Sequence, residues 1–216
     1  MDRSKKKTLT VVWEITIFLM AVLSWLWMLF LGKQEAFSAV GFHSLRYYTV
    51  LSNLFCGAAS ALYAVFKARE REDRPVPLWV SAVKTSSVAA LGVTFTVVMV
   101  FLGPVFGYSI MFHGGNLFMH LFTPVTAFFV SVFLEEPHRL KAPSTVLCIL
   151  PTVIYGVIYL CTVLLFGAAG NDLYGFVHWG FFVGAVIFAL ILAANFGLVE
   201  LLCFLSRRLS EKRKIG

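Results

Sequence analysis

Residues 5–31, KKKTLTVVWEITIFLMAVLSWLWMLFL, decide the fold class of this chain. After Lys5, Lys6 and Lys7, the segment from Leu9 to Leu31 carries one charged side chain, Glu14. A helix crossing a bilayer needs about 20 mostly apolar residues, because the hydrocarbon core is ~30 Å thick and the helix rises ~1.5 Å per residue. This segment is long enough. It is too long for the apolar core of a signal peptide and has no obvious small-residue cleavage site, so it reads as a retained span.

Further stretches of the same character follow. The expected spans are 9–31, 45–66, 78–102, 113–134, 144–166 and 176–205. Pro75 and Pro77, then Pro137 and Pro143, break two of the connecting loops. Composition agrees: of 216 residues, 59% are hydrophobic and 13% charged, where a soluble domain carries about 25% charged residues. The expectation is an all-α polytopic membrane protein, six transmembrane helices in one bundle over residues 1–216, with no soluble domain. Cys56, Cys148, Cys161 and Cys203 all fall in apolar stretches without close spacing. They read as apolar thiols rather than a zinc or disulfide framework. No internal repeat of the kind many transporters carry stands out.

The net charge of +7 belongs to the helix flanks, not to a nucleic-acid patch. Arg3, Lys5, Lys6 and Lys7 precede the first span; Lys67, Arg69, Arg71 and Arg74 occupy the second loop; Arg139 and Lys141 lie in the fourth; Arg207, Arg208, Lys212, Arg213 and Lys214 follow the last span. The opposite side has Lys33 and Arg46, and Lys84 lies within the third span. Fifteen against two places both termini in the cytoplasm, since cytoplasmic loops carry the excess of Lys and Arg. The flanks are also suited to anionic lipid.

Two polar clusters interrupt these apolar helices: Tyr47-Tyr48-Thr49-Val50-Leu51-Ser52-Asn53, and Asn116-Leu117-Phe118-Met119-His120. Residues three and four apart share a helix face, so Thr49 is grouped with Ser52 and Asn53, and Asn116 with His120 and Thr123. Both clusters fall in the outer half of the membrane on the charge-derived topology. Polar and ionisable residues there either serve function or bond between helices. In the functional reading His120 is the base that activates the Thr49 hydroxyl, which is a weak nucleophile on its own. Asn53 or Asn116 would then supply amide donors to the oxyanion. Ser52 and His178 are candidate substrate-pocket residues, His178 as a cap at the start of the last span.

Other polar residues carry a plainer reading beside a sharper one. Glu14 and Lys84 lie near the inner ends of their spans; an ion pair is the plain reading and a proton or ion path the sharper, with Asn195 and Glu200 able to join them. His43, His113, Asp172 and His178 near the outer boundary are conceivable zinc ligands, but the spacing is unspecific. The i, i+7 spacing of His113 and His120 brings haem to mind, but one helix rarely supplies both axial ligands. No metal or cofactor is expected. Tyr47, Tyr48, Tyr108, Tyr174 and Trp179 read as an outer aromatic belt. Gly103, Gly107, Gly114 and Gly115 flank an uncharged loop that is read as an access gate or a mobile segment.

At the two polar clusters the sequence resembles the androgen-induced-gene family of multi-pass membrane proteins and its bacterial relatives. The matching segments are Tyr47-Tyr48-Thr49 with Ser52 and Asn53, and Asn116 with Met119 and His120. A third, weaker match is Tyr174-Gly175-Phe176, where glycine stands for the family's proline. The resemblance implies an intramembrane hydrolase with Thr49 as nucleophile, His120 as its partner, fatty acid esters of hydroxy fatty acids as substrate class, and the cell membrane of a bacterium as location. An acyltransferase using the same pair, a small-molecule or lipid transporter, and a non-catalytic scaffold are the rivals. The expected partner is a lipid substrate from the bilayer; the sequence specifies no oligomeric state.

The charge asymmetry makes a direct prediction. In a background with the native cysteines replaced, Gln34→Cys is expected to react with a membrane-impermeant maleimide on intact cells, and Glu72→Cys only after the membrane is opened. Equal reaction of both on intact cells would refute the orientation.

Overall fold

The computed structural model describes residues 2–31, 41–71, 74–136, 140 and 142–215, with backbone alone at 142, 143 and 212–215. Lys33, Pro137, Arg139 and Lys141, and the side chains of Pro143, Lys212, Arg213 and Lys214, lie outside the described residues. Helices α1 (Arg3–Phe30), α2 (Tyr48–Arg69), α3 (Leu78–Phe106), α4 (Gly115–Phe133), α5 (Leu150–Phe166) and α6 (Phe181–Ile215) follow in chain order. Among the described residues there is no strand.

Five helices, α1 to α4 and α6, are long and apolar enough to cross a membrane. The protein is therefore a helical, multi-pass membrane protein by length and composition. The expected fifth span, 144–166, is instead broken. A short helix, Ala142–Leu147, ends in a turn at Cys148 and Ile149, and α5 restarts with 17 residues. Pro151 sits in the first turn of α5; without an N–H, it cannot continue the preceding helix's bonding. Other edges move too. Residues 41–46 form a 3₁₀ turn before α2, and α6 begins at Phe181 because residues 173–179 form successive turns.

The basic flanks gather at one end of the bundle. Lys7 Nζ donates to the Glu70 carbonyl at 2.9 Å. Lys67 Nζ lies 2.7 Å from Glu70 and 3.0 Å from Glu136. Arg207 donates to the Leu140 carbonyl at 2.6 Å. The other end is held by polar and aromatic contacts: Trp25 Nε1 donates to Ser44 at 3.3 Å, and Arg46 to Asn171 at 3.0 Å.

Two prolines inside helices leave matching marks. In α3 the segment Val98–Leu102 widens to a π turn, and the Gly103 N–H reaches back five residues to the Val98 carbonyl. In α4 the segment Phe118–Phe122 does the same, with the Thr123 N–H reaching Phe118. Pro104 and Pro124 stand two residues beyond these turns. Each lacks the N–H that would bond to the carbonyl four residues before it, and its ring crowds that carbonyl. A π turn, with one residue more than an α turn, accommodates the defect. His120 lies inside the second of these turns.

Packing relies on close approach. In lipid there is no hydrophobic force between helices, so small residues that admit a neighbouring backbone carry the interface. A Cβ on Gly57 of α2 would fall 2.9 Å from the Ala21 Cβ of α1. A Cβ on Gly115, at the start of α4, would fall 2.9 Å from the Ser24 carbonyl oxygen and 3.0 Å from Met28 Cγ. The buried apolar residues form two clusters. One joins Ile17, Leu91, Ala127 and Leu202; the other, toward the aromatic end, joins Met28, Val50, Met111, Met119 and Tyr174.

Gly115→Ala is expected to destabilise the protein by about 1–3 kcal/mol, the usual cost of overpacking. Gly197 of α6 has open space around it, so Gly197→Ala should gain about 0.5–1 kcal/mol of helix stability. Unfolding in detergent measures both; equal effects would show that the α1–α4 contact is not close-packed.

Candidate active site

The α2 helix starts at an aromatic corner. Tyr47 is extended (φ −89°, ψ 132°) and offers no side-chain cap. The first free amide of the helix is instead satisfied from a distant loop: the Tyr48 N–H donates to the Tyr174 phenol oxygen at 2.7 Å. Burial pushes the Tyr174 phenol well above its ordinary range, so it stays neutral. Thr49 therefore sits in the first helical turn, where the partial positive charge of the helix end is concentrated.

Thr49 lines a cavity of about 50 Å³ together with Tyr48, Thr94, Thr152, Tyr155 and Tyr159. The surface of this space is almost wholly apolar, and it is too small for an acyl chain. Behind that surface the polar side chains are bonded to one another. The Tyr48 hydroxyl is 2.6 Å from Thr152 Oγ1, which also accepts from Asn195 Nδ2 at 2.5 Å. Ser52 Oγ is 2.8 Å from Thr94 Oγ1. A groove of about 610 Å³ lies elsewhere, at the basic end beside Trp79, Ser86, Leu140 and Cys148, and neither Thr49 nor His120 lines it.

Asn53 and His120 join this region to α4. Asn53 is fully buried, and its amide donates both to the Thr49 carbonyl at 2.8 Å and to the Met119 carbonyl at 3.1 Å. Both partners only accept, which fixes the amide's orientation. Asn53 thus ties the Thr49 turn to the residue beside His120. The His120 ring is buried, and its Nδ1 is 2.6 Å from the Met111 carbonyl oxygen. A carbonyl cannot donate, so Nδ1 carries the proton, and in the neutral ring Nε2 holds the lone pair.

The Met111 carbonyl arrives there by a tight chain reversal. The loop read as an access gate or a mobile segment runs as a continuation of α3 through Phe106, then one helical turn, Tyr108–Met111. Gly114 returns the chain into α4 with φ 53° and ψ −131°, a conformation that only glycine adopts readily. Tyr108 stacks on Phe112, with ring centroids 5.9 Å apart.

Asn53 has both N–H groups committed to carbonyls, so its unpaired group is the acceptor Oδ1; it is not a free oxyanion donor. His178 is exposed, edge-on to Trp179 at 5.5 Å, and does not line the Thr49 cavity. Asn116 is buried in the first turn of α4. The hydrogen bonds among the described residues do not include one between the Thr49 hydroxyl and the His120 ring. Tyr47 and Tyr174 are buried and meet edge to face, and Tyr174 and the half-buried Tyr48 line the cavity as an aromatic roof, while Tyr108 and Trp179 face outward. Glu14 and Lys84 do pair, at 2.6 Å, but Asn195 bonds Thr152 instead and Glu200 is exposed. Asp172 accepts from the Tyr159 hydroxyl and the Val177 N–H, and His43 and His113 are exposed. Among the described residues no three His, Cys, Asp or Glu gather as a metal site.

Thr94, Thr152, Asn195 and the Met111 carbonyl belong to the site without having been singled out from the sequence as parts of it. The three side chains share one signal, a polar residue in an otherwise apolar helix; the backbone carbonyl has none. Comparison with protein-family models, curated proteins and solved structures finds no match to this chain.

Asn53→Leu leaves two buried carbonyls without their side-chain donor, so it is expected to lower stability by about 1–3 kcal/mol with helix content retained. Thermal unfolding followed by circular dichroism measures it, and no change would show that the Asn53 bridge does not hold α2 to α4.

Proposed function

We propose that this protein is an intramembrane lipid-ester hydrolase with Thr49 as nucleophile and His120 as general base. The observation that carries the reading is the Met111 carbonyl at 2.6 Å from His120 Nδ1. A base oriented by a third group, with its other nitrogen free to take a proton, is the recurring arrangement of hydroxyl nucleophiles. In apo sites the bond between base and nucleophile is often long and tightens only with substrate.

In the proposed reaction His120 Nε2 takes the Thr49 hydroxyl proton as Thr49 Oγ1 attacks the ester carbonyl. The tetrahedral intermediate collapses, the alcohol leaves with the proton from His120, and an acyl-threonine remains. A water, deprotonated by His120, then releases the acid and restores Thr49. With the Asn53 amide occupied, the N-terminal turn of α2 is the better source of positive potential for the oxyanion. The ester comes laterally from lipid, past the aromatic roof, since the cavity as it stands holds no acyl chain. The resemblance to the androgen-induced-gene family extends this reading to fatty acid esters of hydroxy fatty acids. Gly175, however, has φ 70°, which the proline of the family's Tyr-Pro-Phe segment cannot adopt, so this corner is built differently.

The same reading takes α5 with its preceding turn as a sixth span, both termini as cytoplasmic, and the cell membrane of a bacterium as the location. Acyl transfer through the same pair differs only in the alcohol that replaces water. A transporter is the second reading, favoured by the fully buried Glu14–Lys84 pair, which the hydrolase does not use.

A lipophilic fluorophosphonate on detergent-purified protein, with the adduct mapped by mass spectrometry, tests the hydrolase. An adduct on Thr49 is expected, absent in Thr49→Ala and formed about 10²–10⁴-fold more slowly in His120→Ala, the range typical of general-base catalysis. No adduct on monodisperse wild-type protein would sink the proposal.

A further inference from the structure

The most deeply buried charges among the described residues lie away from Thr49. Lys84 Nζ of α3 is 2.6 Å from Glu14 Oε2 of α1, 2.5 Å from Ser60 Oγ of α2 and 3.8 Å from Glu135 Oε1, just past the end of α4. All three charged side chains are inaccessible. Glu14 Oε1 and both carboxyl oxygens of Glu135 have no hydrogen-bond partner.

Charge decides what this arrangement holds. Two carboxylates against one ammonium would leave a net negative charge in a fully buried site, where the second carboxylate faces Glu14 and has only the Ser131 hydroxyl beside it. Such a group takes a proton instead. The titratable and polar groups that face the pair do not supply a second cation. They are Cys56, Ser60 and Tyr63 from α2, Lys84 from α3 and Ser131 from α4.

Glu136, the next residue, shows the contrast. It turns to the half-exposed basic surface at 3.0 Å from Lys67, with Lys6 at 3.9 Å. Burial pushes the Glu136 carboxyl up, but Lys67 and then Lys6 and Arg3 outweigh it, so the net shift is downward and it stays ionised. For Glu135, burial and then the Glu14 carboxylate drive the carboxyl well above the ordinary range, against Lys84.

We propose that Glu14, Lys84 and Glu135 form a proton-binding site, in which Glu135 is a neutral carboxylic acid facing the Glu14–Lys84 ion pair and exchanges its proton with the basic end of the bundle. Loading the site converts one carboxylate and one hydronium ion to a carboxylic acid and water. Unloading leaves an uncompensated charge between α1, α3 and α4, so proton occupancy is coupled to how these helices pack. Two neighbouring glutamates divide the work: Glu136 is the solvent-side carboxylate, 3.4 Å by its N–H from the Tyr63 hydroxyl, and Glu135 is the buried acid. The site depends on neither Thr49 nor His120 and stands whether or not the protein is a hydrolase.

Infrared difference spectroscopy on the full chain in lipid nanodiscs tests this. At neutral pH the wild type should show the carbonyl stretch of a protonated carboxyl group that shifts in deuterium oxide and shifts again when the protein is made with isotope-labelled glutamate. The band should vanish in Glu135→Gln, whose amide mimics the neutral acid and should keep the fold, and should move rather than vanish in unlabelled Glu135→Asp. A folded wild type without such a band, a band untouched by the glutamate label, or a band surviving unchanged in Glu135→Gln would each overturn the proposal. The wild-type spectra alone decide the first two.

Discussion

Inside a bilayer a polar side chain has no water to bond, so it must find its partner on another helix. That constraint sets how this bundle is assembled. Lys84 draws α3 to α1 and α2 through Glu14 and Ser60. Asn53 draws α2 to α4 through the Met119 carbonyl. Ser52 meets Thr94, and Tyr48, Thr152 and Asn195 link α2, α5 and α6 in series. Because these bonds are directional, each fixes a helix's rotation as well as its neighbour. Apolar contact alone would leave rotation loosely specified, since lipid tails and leucines are equivalent surroundings.

The two π turns show how a local defect reaches the candidate site. Pro124 cannot complete the helical bond to the His120 carbonyl, and the turn before it widens. Side chains on either side of such a turn are offset from a regular helical stripe. The offset helps to explain how the His120 ring meets the carbonyl of Met111, which belongs to the preceding one-turn helix. Pro104 produces the same widening in α3 next to the aromatic roof. Both sides of the site are thus shaped by the departures from α geometry that lipid-buried helices tolerate when neighbours satisfy the freed groups.

The two polar centres sit at opposite ends of the bundle and differ in kind. The one at the aromatic end is built of hydroxyls, amides and one imidazole beside a small space. The one at the basic end is ionic, with side chains that are fully buried. Separate clusters of buried apolar residues accompany each end. The Thr49 region draws on α5 and α6 and the Glu135 cluster on α1, while α2, α3 and α4 contribute to both.

By itself the sequence determined that the chain is helical and membrane-crossing, because length and apolar content suffice for that: the segment 9–31 and its counterparts lie within α1 to α4 and α6 to within a few residues. It also marked Thr49, Asn53, His120, Glu14 and Lys84, since polar residues in apolar helices stand out one by one. The break at Cys148 and Ile149 that shortens the fifth helix was not legible, because hydropathy does not register it. Helix rotation was invisible, and with it the commitment of the Asn53 amide, the pairing of Asn195 with Thr152 rather than Lys84, and the outward turn of His178 and Glu200. Only the tertiary structure decided that Glu135 turns inward while Glu136 turns out. In the sequence they are two adjacent loop carboxylates; the packing of α1 and α3 around one of them makes the difference, and no local pattern encodes it.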